Sequence, residues 1–348
     1  MSNSTPSSSL DRRDFMKTTA VAGAAVLTAS AARGATAGSD GLIHRNERKD
    51  IMQYTKLGKT DFMCSKLVFG CGAALMGGKA VRLLDRAYEA GVNHYDIGTD
   101  TYYKGSEKFL APFLKAHGDD VWVTSKAFVR ADMMLKEGQE MSVQQAKESA
   151  EYWQKLMDDS LRDLGREHVD AYYLMGVNFP ATVRNEEMHN QFLKAKAAGK
   201  VDHFGISTHK RAGACLEAAS ETGWYSLAMI AITPAGWYDW DTKSLLEGTP
   251  DMKTIRPILD KARNAGIGLV GMKAGRFIAP GTSLGKGDET AFDSHYDEKF
   301  SQSGLTAFQK SYAFVLAHGL DVVNADMQSF KHFEDNLVAA NKSHELFA

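Results

Sequence analysis

The chain has 348 residues, of which 44% are hydrophobic and 24% are charged, so it is long enough for one large or two small globular domains. Its net charge of -2 indicates neither a nucleic-acid partner nor an anionic membrane surface. The three cysteines, Cys64, Cys71 and Cys215, form no CxxC pair, no metal-ligand spacing and no even disulfide set. Structural zinc, iron–sulfur clusters and other metal sites are therefore not predicted.

Residues 1 to about 40 are typical of a targeting signal and a linker rather than of a fold. Arg12 and Arg13 are adjacent, a weakly apolar stretch follows at 18–32, and small residues at 29–31 and 35–37 offer cleavage sites. This arrangement resembles a twin-arginine signal, and the alternative is a disordered basic tail. The stretch is too short and too weakly apolar to span a bilayer, so no stable membrane insertion is expected. The signal predicts engagement of the Tat translocon and export, to the periplasm or beyond, of a protein already folded around a cofactor.

From Met52 onward, short apolar runs alternate eight times with amphipathic helical runs, which predicts a (β/α)8 TIM barrel over residues 52–348. The predicted strands are 66–70, 94–97, 121–125, 169–174, 203–206, 227–232, 267–272 and 321–324. The predicted helices are 79–90, 106–117, 142–165, 186–199, 212–222, 252–266, 305–318 and 330–341.

Four glycines, Gly91, Gly199, Gly266 and Gly319, stand where a helix should stop before the next strand. The competing architecture is a doubly wound open sheet, but its fingerprint is weak here because residues 70–74 (GCGAA) lack the third glycine.

The segments 239–251 and 275–304 follow the sixth and seventh strands and are rich in loop signals. We expect them to lie over the site or to be tolerated surface insertions.

Two charged residues stand at the ends of neighbouring predicted strands. Asp96 ends the second strand and Lys126 the third, so the two side chains should meet at the mouth of the barrel. Tyr102 and Tyr103 follow on the next loop, and Ser106 is predicted to cap the following helix. An ammonium beside a phenol lowers the tyrosine pKa and suits it to donate a proton to a carbonyl oxygen. The alternative is a structural ion pair that ties two strands together.

Seven segments, in this order and at this spacing, resemble the aldo-keto reductase family over Met52 to Asn341. They are YTKLGKTDFMCSKLVFGCG, HYDIG followed by GSEKFL, VWVTSK, DLGREHVDAYYL, KVDHFGIST, GIGLVGMKAG and QSFKHFEDNLVAA. The resemblance implies a TIM barrel that reduces aldehydes or ketones with NAD(P)H, through an active site of Asp, Tyr, Lys and His.

Carried over residue by residue, the resemblance assigns Asp96 and Lys126 to the active site. The tyrosine is ambiguous. Tyr102 lies nearest the usual spacing from the aspartate and is slightly preferred, whereas counting back from the Ser-Glu pair allows Tyr103.

The family histidine is replaced, because the fourth strand ends Leu174-Met175. Met175 has no donor and cannot orient a carbonyl, and losing one such donor typically costs about 100-fold in rate. His94 precedes Asp96 by two residues and should lie too deep to substitute. His209 is the better-placed stand-in.

The same resemblance implies a dinucleotide cofactor, NADP by preference and NAD as an alternative. It implies that Ser207 and Thr208 contact the nicotinamide, that Lys273 and Arg276 lie at the pyrophosphate, and that the adenosine end is held by Ser329, Lys331, Asp335 and Asn336. Lys331 is the one cation that favours a 2′-phosphate. The ring that stacks on nicotinamide is left open between Trp237 and Tyr238.

Two functions follow as hypotheses. The first is an exported NAD(P)H-dependent oxidoreductase that transfers hydride between nicotinamide and a small carbonyl or alcohol. The alternative is a catalytically altered barrel that binds a nucleotide or ligand, or that performs non-redox chemistry such as a lyase reaction. Met175 and Thr208 favour the second.

Overall fold

Eight parallel strands close into a barrel in the computed structural model, which describes residues 38–279 and 286–347. The strands are β1 (Leu67–Gly70), β2 (His94–Asp96), β3 (Trp122–Phe128), β4 (Val169–Met175), β5 (Val201–Thr208), β6 (Leu227–Thr233), β7 (Gly268–Met272) and β8 (Val322–Ala325). Each pairs in parallel with its successor, and β8 pairs with β1 to close the ring. The TIM-barrel prediction is confirmed. The predicted targeting signal lies almost wholly outside the described residues.

One long helix follows each strand. These are α1 (Arg82–Glu89), α2 (Ser106–His117), α3 (Val143–Leu164), α4 (Glu186–Ala197), α5 (Ala212–Thr222), α6 (Met252–Asn264), α7 (Ala307–Ala317) and α8 (Phe330–Phe347). Helix α3 begins at a capping box in which Ser142 and Gln145 satisfy each other's backbone N–H, and it ends at Gly165 in the left-handed conformation. The four glycines predicted as helix stops all have positive φ.

Apolar side chains form two main clusters, one on each side of the strands. The outer cluster lies between the strands and the helices. The inner cluster fills the barrel with side chains such as Trp122, Tyr173, Met229 and Val270.

A short antiparallel hairpin, Tyr54–Lys56 with Met63–Ser65, contributes Phe62 to the inner cluster. Phe62 stacks on Trp122 at the start of β3, with ring centroids 4.5 Å apart. The hairpin therefore covers the N-terminal end of the barrel and leaves the C-terminal end for chemistry.

The structure differs from the predicted elements in three places. Strand β3 continues past Lys126 to Phe128, because Phe128 still pairs with Met175 of β4. The hairpin at the barrel floor was not predicted. The segment after β6 also holds strands, Gly236–Asp239 and Ser244–Leu245, where a loop over 239–251 was expected.

The cysteines are buried and unpaired. Cys64 lies in the inner cluster, Cys71 in the short helix Cys71–Leu75 and Cys215 in α5. Burial raises the pKa of all three thiols.

Within residues 38–279 and 286–347, no helix is long and apolar enough to cross a membrane. In the same residues, no cluster of three or more His, Cys, Asp or Glu side chains has a metal-binding arrangement.

Candidate active site

Asp96 and Lys126 form a buried ion pair at the C-terminal ends of β2 and β3. The Lys126 Nζ lies 2.6 Å from Oδ2 of Asp96, and the residues are 4% and 3% exposed. The same ammonium donates to the carbonyl oxygen of Ile97. On the other side, Nδ2 of Asn324 at the end of β8 donates to Oδ2 of Asp96 over 2.7 Å. The structure thus brings the two predicted charges together and adds Asn324, which sequence reasoning missed.

The environment of Asp96 combines two opposing effects. Burial raises the pKa of the carboxyl group, whereas the charge and hydrogen bond of Lys126 and the amide of Asn324 lower it, with burial the larger effect. Oδ1 of Asp96 is also buried and has no hydrogen-bond partner among the described residues. A buried carboxylate held on one oxygen only retains acceptor capacity on the other.

The two tyrosines point in different directions. The Tyr103 ring lies beside the ion pair, with Lys126 Nζ 5.8 Å from its centroid. Tyr102 is 42% exposed and packs edge-on against the Phe128 ring at 5.3 Å. The two tyrosines therefore differ in their access to Lys126, which their spacing in the sequence did not reveal.

Tyr103 reaches this position because the chain turns through a short helix, Asp100–Tyr103, directly after β2. Two glycines admit its ring: a Cβ on Gly72 would lie 2.6 Å from the ring, and a Cβ on Gly98 2.9 Å from it. Larger residues at either position would displace the phenol.

Ser106 does not cap α2 as predicted. It is the first residue of the helix, and its hydroxyl donates to the carbonyl oxygens of Gly72 and Tyr103, at 2.7 and 2.5 Å. These bonds tie the start of the helix to the backbone of Gly72 and of Tyr103.

The pKa of Tyr103 also departs from expectation. Burial raises it well above its ordinary value, and the charge of Asp96 acts in the same direction. The expectation of a lowered pKa is therefore not met, because burial and the charge of Asp96 outweigh any lowering by the Lys126 ammonium. The phenol is consequently protonated at neutral pH, which is the form a proton donor needs.

Met175 ends β4 and is 4% exposed. Its partner in the register is Phe128, and Gly176 also packs against the Phe128 ring. The position where the resemblance implies a histidine is thus apolar on both sides. No side chain of this pair donates a hydrogen bond to a carbonyl group.

The two histidines considered as substitutes differ in depth. His94 bonds Thr124 Oγ1 at 2.8 Å and contacts Cys64, and burial lowers its pKa to about 3. It lies toward the barrel floor, as expected from its position two residues before Asp96. His209 follows β5 beside Trp240, and burial, with Lys273 and Lys243, lowers its pKa to about 3. His209 is therefore neutral at physiological pH.

Candidate cofactor residues lie at two parts of the mouth, after the strands on either side of β6. Ser207 and Thr208 end β5 and are buried. Lys273 follows β7, and Arg276 lies three residues further on. Both are close to the indole of Trp240, at 4.5 Å for Lys273 Nζ and 5.6 Å for Arg276 Cζ. Trp240 was not predicted, and only its place after the sixth strand could have suggested it.

The adenosine-end candidates lie at the start of α8. Ser329 Oγ accepts the backbone N–H of His332, and Lys331 donates to Asp335 at 2.8 Å, a pair within the protein. Asn336 is 1% exposed, and neither atom of its amide has a hydrogen-bond partner among the described residues. An amide buried in this way fits the donor and acceptor pattern of a base edge, so the residues present suit a dinucleotide.

Trp237 and Tyr238, the two rings left open as candidates to stack on nicotinamide, lie in different apolar clusters. Trp237 belongs to the outer cluster and lies against Gly213 of α5. Tyr238 belongs to the inner cluster together with Met272 at the end of β7. Of the two, only Tyr238 faces the side of the barrel where the candidate site lies.

The fold and the site together define a TIM-barrel enzyme with a buried Asp–Lys pair and a phenol at its mouth. The family model of the aldo/keto reductase family matches residues 69–278, more than half of the chain, so the chain belongs to that family. A model of the twin-arginine translocation signal sequence matches residues 9–29.

A curated relative matches about half of the chain. A Bacillus subtilis (strain 168) protein named uncharacterized oxidoreductase YqkF is 28% identical over 159 residues, 45% of this chain and 49% of that protein. The match thus spans about half the length of this relative.

An aldo-keto reductase from Klebsiella pneumoniae, solved in complex with NADPH, shares 16% identity at a TM-score of 0.56, covering 84% of this chain and 90% of that one. The holo form of AKR11C1 from Bacillus halodurans shares 20% at 0.57, covering 85% and 97%. These structures agree with the fold, while the family and the oxidoreductase relative support an oxidoreductase.

Proposed function

We propose that the protein is an exported, nicotinamide-dependent oxidoreductase that interconverts a small carbonyl compound and its alcohol. The observation that carries the proposal is the buried Lys126–Asp96 pair at 2.6 Å, with the ring of Tyr103 beside the ammonium. Because the phenol is protonated at neutral pH, it is suited to act as an acid toward a carbonyl oxygen at the mouth.

Each residue has a distinct role in this proposal. Tyr103, in preference to Tyr102, gives its proton to the carbonyl oxygen in reduction and recovers it in oxidation. Lys126 stabilises the phenolate that forms, and Asp96 holds Lys126 in place. Met175 offers an apolar wall in place of a donor, so the substrate carbonyl is oriented by Tyr103 alone. The nicotinamide cofactor, when bound, supplies or accepts the hydride.

The cofactor we propose is NADP, with NAD as the alternative. Ser207 and Thr208 would hold the nicotinamide end, Lys273 and Arg276 the pyrophosphate, and the start of α8 the adenosine end through Ser329, Lys331, Asp335 and Asn336. NADPH in the Klebsiella neighbour supports this preference. Lys331 would have to leave its pair with Asp335 to reach a 2′-phosphate.

Export would affect how the enzyme obtains its nicotinamide cofactor. The signal at residues 9–29 supports passage through the Tat translocon, and we propose the periplasm as the destination. The periplasm has no free pool of reduced nicotinamide to draw on. The enzyme would then carry its cofactor with it and recover the reduced form by oxidising a second, alcohol substrate.

The test is purification of the exported form, a search for co-purifying nicotinamide by absorbance, and an assay with a panel of aldehydes and alcohols. Tyr103→Phe should lower turnover by about 100- to 10,000-fold, the usual contribution of a positioned acid. Tyr102→Phe is the matched control and should change turnover by less than about threefold, since its ring is exposed. Absence of both cofactor and turnover, or equal losses in the two variants, would overturn the proposal.

The second candidate is an altered barrel that binds a nucleotide or ligand, or performs non-redox chemistry. Met175 favours it, because no donor replaces the histidine. Cofactor binding without turnover on any carbonyl or alcohol would select this alternative.

A further inference from the structure

Strand β3 approaches Lys126 with side chains that alternate between the two sides of the barrel wall. Trp122 belongs to the inner cluster and Val123 to the outer one. By the same alternation, Thr124 faces the interior, as Lys126 does, and Ser125 faces the helices. Thr124 and Ser125 are both fully buried, so each hydroxyl needs a hydrogen-bond partner on its own side of the wall.

On the outer side, the partner of Ser125 is a carboxyl group from helix α2. The hydroxyl of Ser125 donates to Oε1 of Glu107 over 2.8 Å. Glu107 is 1% exposed and is in no ion pair in the described part of the chain, and the neighbouring Lys108 pairs with Asp163 instead. A carboxyl group buried without a cation is costly, and groups in such surroundings concentrate at functional sites. The hydrogen bond of Glu107 reaches the residue directly before Lys126.

On the inner side, the partner of Thr124 is a neutral imidazole from β2. Oγ1 of Thr124 lies 2.8 Å from Nε2 of His94, and burial lowers the pKa of His94 to about 3. The indole N–H of Trp122 donates to the same Oγ1 over 3.3 Å. Since Oγ1 accepts from Trp122, its own hydrogen is free to go to His94. This bond joins β2 and β3 two residues before Asp96 on one strand and two residues before Lys126 on the other.

The first turn of α2 connects this arrangement to the phenol. Ser106 directly precedes Glu107, and its hydroxyl donates to the backbone carbonyl oxygen of Tyr103. One helical turn therefore contacts both the backbone that carries the phenol and the strand that carries Lys126. The 5.8 Å between Lys126 Nζ and the centroid of the Tyr103 ring thus depends on how this turn is held.

We propose that Glu107 and His94 are positioning residues, which hold the two hydroxyl groups of β3 from opposite sides of the barrel wall and so fix the Lys126 ammonium beside the phenol. The inference rests on the proposed function, in which Lys126 stabilises the phenolate. Both residues are buried and act through Ser125 and Thr124 rather than on the substrate. A lysine has a flexible four-carbon stem, so its ammonium is only as well placed as the backbone that carries it. A displacement of about 1 Å in a reacting geometry can cost about 100-fold in rate.

The first test measures kcat and KM of the purified full chain with one aldehyde and saturating nicotinamide cofactor. Ser125→Ala and Thr124→Val each remove one hydroxyl group and should lower kcat by about 10-fold, while the KM for the aldehyde changes by less than about twofold. Tyr225→Phe is the matched control, because it also removes a buried hydrogen bond, 2.8 Å long, to the carbonyl oxygen of Val183. It should leave kcat close to wild type. Losses in the two β3 variants no larger than the loss in Tyr225→Phe would overturn the proposal.

Two variants of Glu107 separate the hydrogen bond from the charge. Glu107→Gln keeps an acceptor oxygen for Ser125 and should retain most of the turnover at pH 7. Glu107→Ala should lose about as much as Ser125→Ala, and circular dichroism shows whether it is folded. Where Glu107→Ala does not fold, Ser125→Ala carries the test. Equal rates in folded glutamine and alanine variants would contradict a positioning role for Glu107.

The pKa of Asp96 gives a second readout that does not need turnover. Burial raises this pKa, and the charge and hydrogen bond of Lys126 oppose the rise, so a displaced ammonium should raise it further. Loss of an unrelated buried bond should not move it. ¹³C NMR of the carboxyl carbon, assigned with Asp96→Asn, measures the pKa in wild type, Ser125→Ala and Tyr225→Phe.

The two readouts distinguish the positioning role from the proposed function. An Asp96 pKa that is unchanged in Ser125→Ala would overturn the positioning role and leave the proposed function intact. A wild-type protein without turnover on any carbonyl or alcohol would overturn the proposed function, and a raised Asp96 pKa in Ser125→Ala would still support the hold on Lys126.

Discussion

The side-chain amide of Asn324 donates to Oδ2 of Asp96 across the junction between the last strand of the barrel and the second. The acceptor oxygen is the one that also receives Lys126. The candidate site therefore depends on closure of the barrel, since Asn324 lies at the end of β8 and reaches Asp96 only when β8 pairs with β1.

Replacing Asn324 with alanine should raise the pKa of Asp96, because a hydrogen bond to the charged carboxylate is lost. We expect the acidic limb of the pH–rate profile to move to higher pH and the free energy of unfolding to fall by about 1.5–3 kcal/mol. Gln328→Ala, which removes an exposed bond to Asp326, is the control and should change neither quantity. A pH profile identical to wild type would show that Asn324 has no influence on the ion pair.

Lys126→Met should destabilise the fold by about 3–5 kcal/mol, because it leaves Asp96 charged, buried and unpaired. The double variant Asp96→Asn/Lys126→Met should be more stable than Lys126→Met alone, since neither charge remains. Urea unfolding of the three proteins measures the difference. A double variant less stable than Lys126→Met would contradict an electrostatic origin for the loss.

Met175→His should raise turnover by about 10- to 100-fold, because it introduces a hydrogen-bond donor at the C-terminal end of β4, next to Phe128 of β3. Met175→Leu keeps the position apolar and should leave turnover close to wild type. Steady-state rates with a single aldehyde are sufficient for the comparison. Equal rates in the histidine and leucine variants would mean that the substrate carbonyl does not approach this strand end.

Stability should also depend on pH through Glu107, which is 1% exposed in α2 and accepts a 2.8 Å hydrogen bond from Ser125. Burial raises its pKa to about 7, above its ordinary value of 4.5, so the folded protein binds a proton that the unfolded chain has already released. The free energy of unfolding should therefore fall as pH rises from 4.5 to 7, by about 3 kcal/mol at most.

The variant Glu107→Gln should lose this dependence, because the amide is neutral at every pH while its carbonyl oxygen still accepts from Ser125. Urea unfolding at pH 5, 6, 7 and 8 gives the difference between wild type and variant, which cancels the titration of the buried histidines. Parallel curves for the two proteins would show that Glu107 titrates alike in the folded and unfolded chains.

The barrel was predictable because its signals are local. Each helix has its own apolar periodicity, and glycines such as Gly91 end helices wherever they stand. The pairing of Asp96 with Lys126 followed from the rule that adjacent parallel strands end at the same face.

Some parts of the site were not predicted. They depend on contacts between residues far apart in the sequence, or on the direction in which a side chain leaves its helix. Asn324 is 228 residues from Asp96 and meets it only through the register of the closed barrel. Tyr102 and Tyr103 are separated by one step along a short helix, so their directions differ by a rotation that spacing cannot show. The hairpin at the barrel floor has three-residue strands, too short for a periodic pattern to indicate.

Cys64, Cys71 and Cys215 are each buried in a different part of the structure, and none is in a disulfide. The covalent structure of the chain therefore does not depend on the redox conditions around it. With the thiols protonated and enclosed, no covalent bond has to form before the barrel is complete. The reducing interior of a cell and an oxidising exterior would therefore present the same molecule, with the same set of bonds. A protein with this property can reach its final chemical form before it crosses a membrane, and no thiol oxidase is needed on the far side.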